Sequence, residues 1–164
     1  MRHALPLAAA LLAVGPALAG DAEPCSGFAW DVRADIAAVA AAEMTPSGSE
    51  IRPAPATAVR LLLVDAGKAG FALPPEQAQS PAAPAGTLRF VARAGVWRVT
   101  TTERLWFDVV QDGRSAKPLG FSGDPTCEGA RKSVRFELKD GPATLQVSGS
   151  PSRTVGVAVT AERP

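Results

Sequence analysis

Three glycine turns, each set between two short alternating runs, leave this chain few folds. Ala94-Gly95, Asp112-Gly113 and Asp140-Gly141 separate segments rich in β-branched and aromatic residues. Asp-Gly is a strong two-residue turn signal between strands. Each turn predicts a hairpin: "TLRFVARAGVWRVTTT", "RLWFDVVQDGRSAKPLGF" and "SVRFELKDGPATLQVSG". "AVRLLLVDAG", "AGFALPP" and "RTVGVAVTAE" read as further strands. Alternation assigns the faces. Trp97 and Val99, then Val134, Phe136 and Leu138, then Ala143, Leu145 and Val147 point inward, as do Val155, Val157 and Val159. Leu105, Phe107 and Val109 form the more apolar face of their strand, with Trp106, Asp108 and Val110 on the other. Many short strands joined by glycine turns predict a mainly β fold, an antiparallel β-sandwich of eight or nine strands. A faint echo runs through it: Phe90 and Val99 flank Gly95 at the spacing with which Phe136 and Leu145 flank Gly141.

The N-terminal part has a different period. From about Asp31 to Glu43, Val32, Ile36, Val39 and Ala40 recur at helical spacing, which predicts one short helix with Asp31 capping its first turn. "MTPSGSEIRPAPAT" and "EQAQSPAAPAG" lack periodicity and read as loops. Residues 1–19 have the pattern of a signal peptide: Arg2, an apolar run from Leu5 to Val14, and Ala17-Leu18-Ala19 before a cut at Gly20. That run is too short to span a bilayer, and no later segment is apolar enough, so no integral membrane segment is expected. Residues 20–164 then form a single domain in the periplasm or the exterior.

In that compartment the two cysteines, Cys25 and Cys127, predict a disulfide. It would close about 100 residues, a constraint of roughly 4–5 kcal/mol in the chain-entropy model. Two free thiols acting as metal ligands are the alternative, with no histidine nearby to help them. Of the seventeen Lys and Arg, Arg2 is in the leader, so the remainder equals the sixteen acidic residues. No basic field exists to attract nucleic acid.

The missing residue types restrict the chemistry further. The one histidine is His3, inside the leader, and there is no tyrosine. The exported part therefore lacks the usual neutral-pH general base and the commonest transition-metal ligand. A Ser-His-Asp or Cys-His device is impossible. Paired-carboxylate hydrolysis stays formally open through Asp108, Asp112, Asp124 or Glu128. No catalytic residue, metal site or cofactor is assigned, and the acidic residues do not follow a calcium-loop spacing. The best surface candidate is Trp106 with Asp108, an aromatic face beside a hydroxyl acceptor. The alternative has Trp106 lying under the helix, against Ile36 and Val39. Asp124 and Arg131, with Glu128 and Lys132, belong to the polar loop around Cys127, a second candidate surface. Phe28 and Trp30 read as core anchors.

"SGFAWDV", "WFDVVQDG" and "CEGARKSVRFEL", in that order, resemble a family of small exported proteobacterial proteins without established function. Some members carry a homogentisate dioxygenase label. That activity needs histidines and a carboxylate to hold iron, and no matching position exists here, so no site is carried over. The segments "AGVWRV" and "DGPATLQV" resemble the β-sandwich of bacterial pre-peptidase C-terminal domains, accessory modules of secreted enzymes. A jelly roll is the other sandwich type expected. Together these features predict a non-catalytic exported module that binds a glycan or an envelope protein. Two alternatives remain: a structural or assembly partner in the envelope, and an enzyme with an unrecognised site. Oligomeric state is not readable from the sequence.

Overall fold

The computed structural model describes residues 25–52, 56–77 and 80–162. The proposed leader and its cleavage point lie outside these residues. The chain forms one short helix and twelve β segments: α1 (Arg33–Ala40), β1 (Met44–Pro46), β2 (Ser49–Glu50), β3 (Ala56–Leu62), β4 (Val64–Asp65), β5 (Pro84–Ala92), β6 (Gly95–Thr101), β7 (Trp106–Gln111), β8 (Arg114–Ser115), β9 (Pro118–Ser122), β10 (Lys132–Leu138), β11 (Gly141–Ser148) and β12 (Thr154–Ala161). They build a β-sandwich of two six-stranded sheets. The helix-side sheet runs β1-β3-β12-β6-β10-β9, and the loop-side sheet runs β2-β5-β11-β7-β8 with β4 also on β5.

The sheets are mixed rather than purely antiparallel. β1 pairs parallel to β3, and β2 parallel to β5. Both come from the segment expected to be loop, "MTPSGSEI". Three- and two-residue strands are too short to show a period in sequence, so only their docking on a sheet edge reveals them. β1 also ends the helix early, at Ala40 rather than Glu43, because the Glu43 carbonyl accepts the N–H of Arg60 in β3. Asp31 lies just outside the helix and accepts the Arg33 N–H at 2.9 Å, while Val32 takes the cap position.

Two of the three expected hairpins are arches. β5 belongs to the loop-side sheet and β6 to the helix-side sheet, and β10 and β11 divide the same way. Gly95 (φ 139°) and Gly141 (φ 133°) make the crossings, in backbone open mainly to glycine. The arches stack, since β5 pairs with β11 and β6 with β10. Asp140 on one accepts the Ala94 N–H on the other at 3.0 Å. The echo about Gly95 and Gly141 thus corresponds to two arches crossing in opposite directions. The Asp112-Gly113 turn does make a hairpin, with both residues at positive φ. It holds for only two residue pairs, Gln111 with Arg114 and Val110 with Ser115. The chain then passes to the other sheet as β9.

Every inward residue assigned by alternation within the strands lies in one core between the sheets. Phe90 packs on Trp97 and Phe107 on Phe136, with centroids 5.6 and 6.3 Å apart. Burial of such side chains drives the fold at ~25 cal/mol per Å² of apolar area. Alternation survives the hairpin error because an arch also turns both apolar faces inward.

The helix covers the outer face of the helix-side sheet, over β12 and β3. A Cβ at Gly156 would overlap Val39 and Thr102, so this glycine lets the helix sit directly on β12. A satellite cluster of Phe28, Val32, Cys127 and Ala130, joined by Trp30 and Ile36, surrounds the Cys25–Cys127 disulfide. No helix among the described residues is long and apolar enough to cross a membrane.

Candidate functional site

Trp106 and Asp108 stand on the outer face of the loop-side sheet, away from the helix. What covers this face is the segment after β4, where "AGFALPP" was expected to be a strand. It forms no ladder and is instead fastened by a row of side chains. Thr87 of β5, Gln146 of β11 and Asp108 of β7 are register partners across three strands. The Thr87 hydroxyl donates to the Ala69 carbonyl at 3.2 Å. Gln146 accepts from the Ala72 and Leu73 N–H groups at 3.2 and 3.4 Å, and donates to the Leu73 carbonyl at 2.9 Å. Asp108 accepts the Glu76 N–H at 3.4 Å. All three side chains are buried, and each satisfies loop backbone that would otherwise be orphaned.

Asp108 is thus the third peg of a row, and its other oxygen accepts the Trp106 indole N–H at 2.8 Å. Trp106 is half-buried, and the Lys132 ammonium lies 4.9 Å from its ring and 4.8 Å from that of Phe107. Burial holds the Lys132 pKa below the usual lysine range; Asp108 opposes that shift and Arg104 adds to it. This corner is a packed cation–π contact.

The Cys127 loop is organised by Asp124, which is buried. One oxygen accepts the Thr126 N–H at 2.8 Å and the Thr126 hydroxyl at 2.6 Å, and the other accepts the Gly27 N–H at 3.1 Å. These bonds to the charged form, led by the Thr126 hydroxyl, hold Asp124 below the ordinary carboxylate range. A carboxyl depressed in the folded state stabilises above its unfolded pKa of about 4 and loses that contribution as pH falls through the folded value. Wild type and Asp124→Asn should therefore differ in Tm at pH 7 and converge in acid. A gap independent of pH down to the depressed value would contradict the assignment. Asp31 and Asp65, held down chiefly by Arg33 and Arg153, share the sign, so the variant stays acid-labile. The Arg131 backbone N–H donates to Thr101, while its side chain is exposed.

The structure brings together Trp106 and Asp108 on one face. Asp124 lies in a separate cluster with the disulfide. A third set went unseen in the sequence. Asp35 of α1 accepts from both Arg98 Nε (2.9 Å) and Nη2 (3.1 Å), from Thr100 (2.6 Å) and from Thr160 (3.0 Å). Glu162 bridges Arg98 and Arg135 at 3.1 and 2.8 Å. Arg135 lies 4.2 Å from the Trp30 ring, and the Trp30 N–H donates to Ser133. The available signal was a carboxylate on the apolar stripe, at position 35 between Val32 and Val39. Both Asp35 oxygens and Glu162 Oε1 accept hydrogen bonds from within the protein, so this set docks the helix.

Among the described residues no group of three or more His, Cys, Asp or Glu side chains could hold a metal ion. One end of the helix-side sheet is β9. Its free edge pairs with no strand among the described residues. Leu119 and Phe121 are 56% and 79% exposed, Phe121 more than any other large apolar side chain described. In the sequence "KPLGF" has the pattern of a hairpin arm, and nothing local marks its edge position. Neither a protein-family model, nor a curated protein, nor a solved structure matches the chain.

Proposed function

We propose that the chain is an exported, non-catalytic binding module that accepts an extended segment of an envelope protein along β9. The exposed apolar edge carries this reading. Natural sheets shield such edges because unpaired N–H and C=O groups recruit further strands. Strand addition uses those groups for affinity and alternate side chains for specificity. Leu119 and Phe121, two residues apart, supply the apolar contacts.

Charge selects the occupant. Exposed Lys117 precedes the strand, exposed Arg114 lies in β8, and the Arg131 backbone packs against Gly123 at the far end. No acidic residue occurs between Gly113 and Gly123. An acidic segment with alternating apolar residues complements this edge. Antiparallel pairing of two β9 strands centred on Gly120 would instead place Lys117 opposite Gly123, beside Arg131 of the second copy.

A glycan stacked on Trp106 is the other binding mode. Its support is weaker, because Lys132 already lies over that ring and both Asp108 oxygens accept hydrogen bonds from the protein. Capture from envelope extract separates the two. The protein should retain a specific partner, lost at least tenfold in Phe121→Asp and unchanged in Trp106→Ala. The partner's amides, and those of residues 119–122, should gain exchange protection in the complex. Equal capture by Phe121→Asp would overturn the edge reading. Loss with Trp106→Ala and competition by free sugar would establish the glycan reading instead.

A further inference from the structure

Beside the fastened loop, the outer face of the loop-side sheet carries a cleft of about 460 Å³, within the size range of small-ligand pockets. Its floor is Thr87, Arg89 and Thr144, and its walls include Ser47, Lys68 and Gly70. We propose that this cleft binds a small hydroxylated ligand through an oxyanion, a carboxylate or a phosphate, with Arg89 and Lys68 as counter-ions and Thr144 as a hydroxyl donor.

Three observations converge on it. First, the cations lining the cleft are weakly committed. Arg98, Arg135 and Arg153 each hold a carboxylate at 2.8–3.1 Å. Arg89 makes no side-chain hydrogen bond or ion pair among the described residues, although Glu50 is its register partner. Lys68 reaches only Asp65, at 3.8 Å, and that carboxylate already holds Arg153 at 2.8 Å. Second, Thr144 is the cross-strand partner of Arg89, and its half-buried hydroxyl is likewise unpaired among the described residues. Third, the geometry is fixed from both sides. Thr87 and Gln146 tie the loop wall down at Ala69 and Leu73, and Ser47 accepts the Thr87 N–H at 3.0 Å. A preformed concave site with two cations in its lining attracts anions and loses little on ordering. Arg89 brings a planar fork suited to carboxylate or phosphate.

The inference is independent of the β9 edge. It is tested by titrating the protein with glucuronate, glucose 6-phosphate and uncharged methyl glucoside, followed by backbone amide NMR. Saturable shifts at residues 47–48, 68–72 and 87–89 are expected with at least one anion and absent with methyl glucoside. Which anion binds tells carboxylate from phosphate. Arg89→Gln and Lys68→Gln should each weaken binding about tenfold, raised salt should weaken it further, and Phe121→Asp should leave it intact. Both substituted side chains are exposed, so a native spectrum is expected in each variant. Absence of saturable shifts with both anions, equal binding of methyl glucoside, or an unchanged affinity in Arg89→Gln overturns the proposal.

Discussion

Asp35→Ala should remove about 3–5 kcal/mol from the unfolding free energy, the cost of stripping one partner from a buried ion pair. Asp35 is 2% exposed, and its side chain accepts four hydrogen bonds, two from Arg98 and one each from Thr100 and Thr160. Alanine leaves both hydroxyls without that acceptor and Arg98 with Glu162 alone. The helix also loses its polar link to β6 and β12, while apolar contacts such as Val39 against Gly156 remain. Urea unfolding measures the effect as a lower midpoint with a similar slope. An apolar exchange of the whole set, Asp35→Leu with Arg98→Met, should recover much of the loss, because desolvation then disappears along with the attraction. A loss under about 1 kcal/mol for Asp35→Ala would mean that the helix is held by apolar contact alone.

Removing the disulfide by Cys25→Ser with Cys127→Ser should cost about 2–5 kcal/mol. The two cysteines are 102 residues apart, so the cross-link removes much of the freedom of the unfolded chain. In the folded state it ties the segment before the helix to the Asp124 loop, and the Phe28–Val32–Ala130 cluster is packed around it. Thermal melts with and without reductant read the effect directly. Wild type in reductant should match the double variant, whereas a variant melting with oxidised wild type would show that the cross-link is not limiting. Asp35 and Cys25 anchor the same N-terminal segment, so the two losses should not add. With the disulfide cut, Asp35→Ala should release the whole segment.

The residues that matter most in these experiments were unevenly visible in the sequence. Cys25 and Cys127 were legible because they are the only two cysteines in the sequence. Phe136, Leu145 and Val157 were legible because their alternation is local. Asp35, Gln146 and Asp108 were not read as buried anchors. A polar letter in a strand or helix reads as a wet position, and only a partner distant in sequence makes its burial affordable. Gln146 meets Leu73 across 73 positions, and Asp35 meets Thr160 across 125. Leu119 and Phe121 are the reverse case, apolar in type yet exposed. They look like core residues until the sheet ends beside them.

The sequence alone determined which side of each long strand is apolar, that just two thiols were there to cross-link, and that the described residues contain no imidazole. Side-chain direction repeats every two residues whatever lies next to the strand, and residue types are simply present or missing. The tertiary structure alone decided which strands are neighbours, turning two expected hairpins into stacked arches, and which polar groups are shut in with partners. A turn's local geometry allows the chain to return beside itself or to cross the core. The choice rests on long-range pairing, β5 with β11 and β6 with β10, and on the packing of Phe136 against Phe107, which no short stretch encodes.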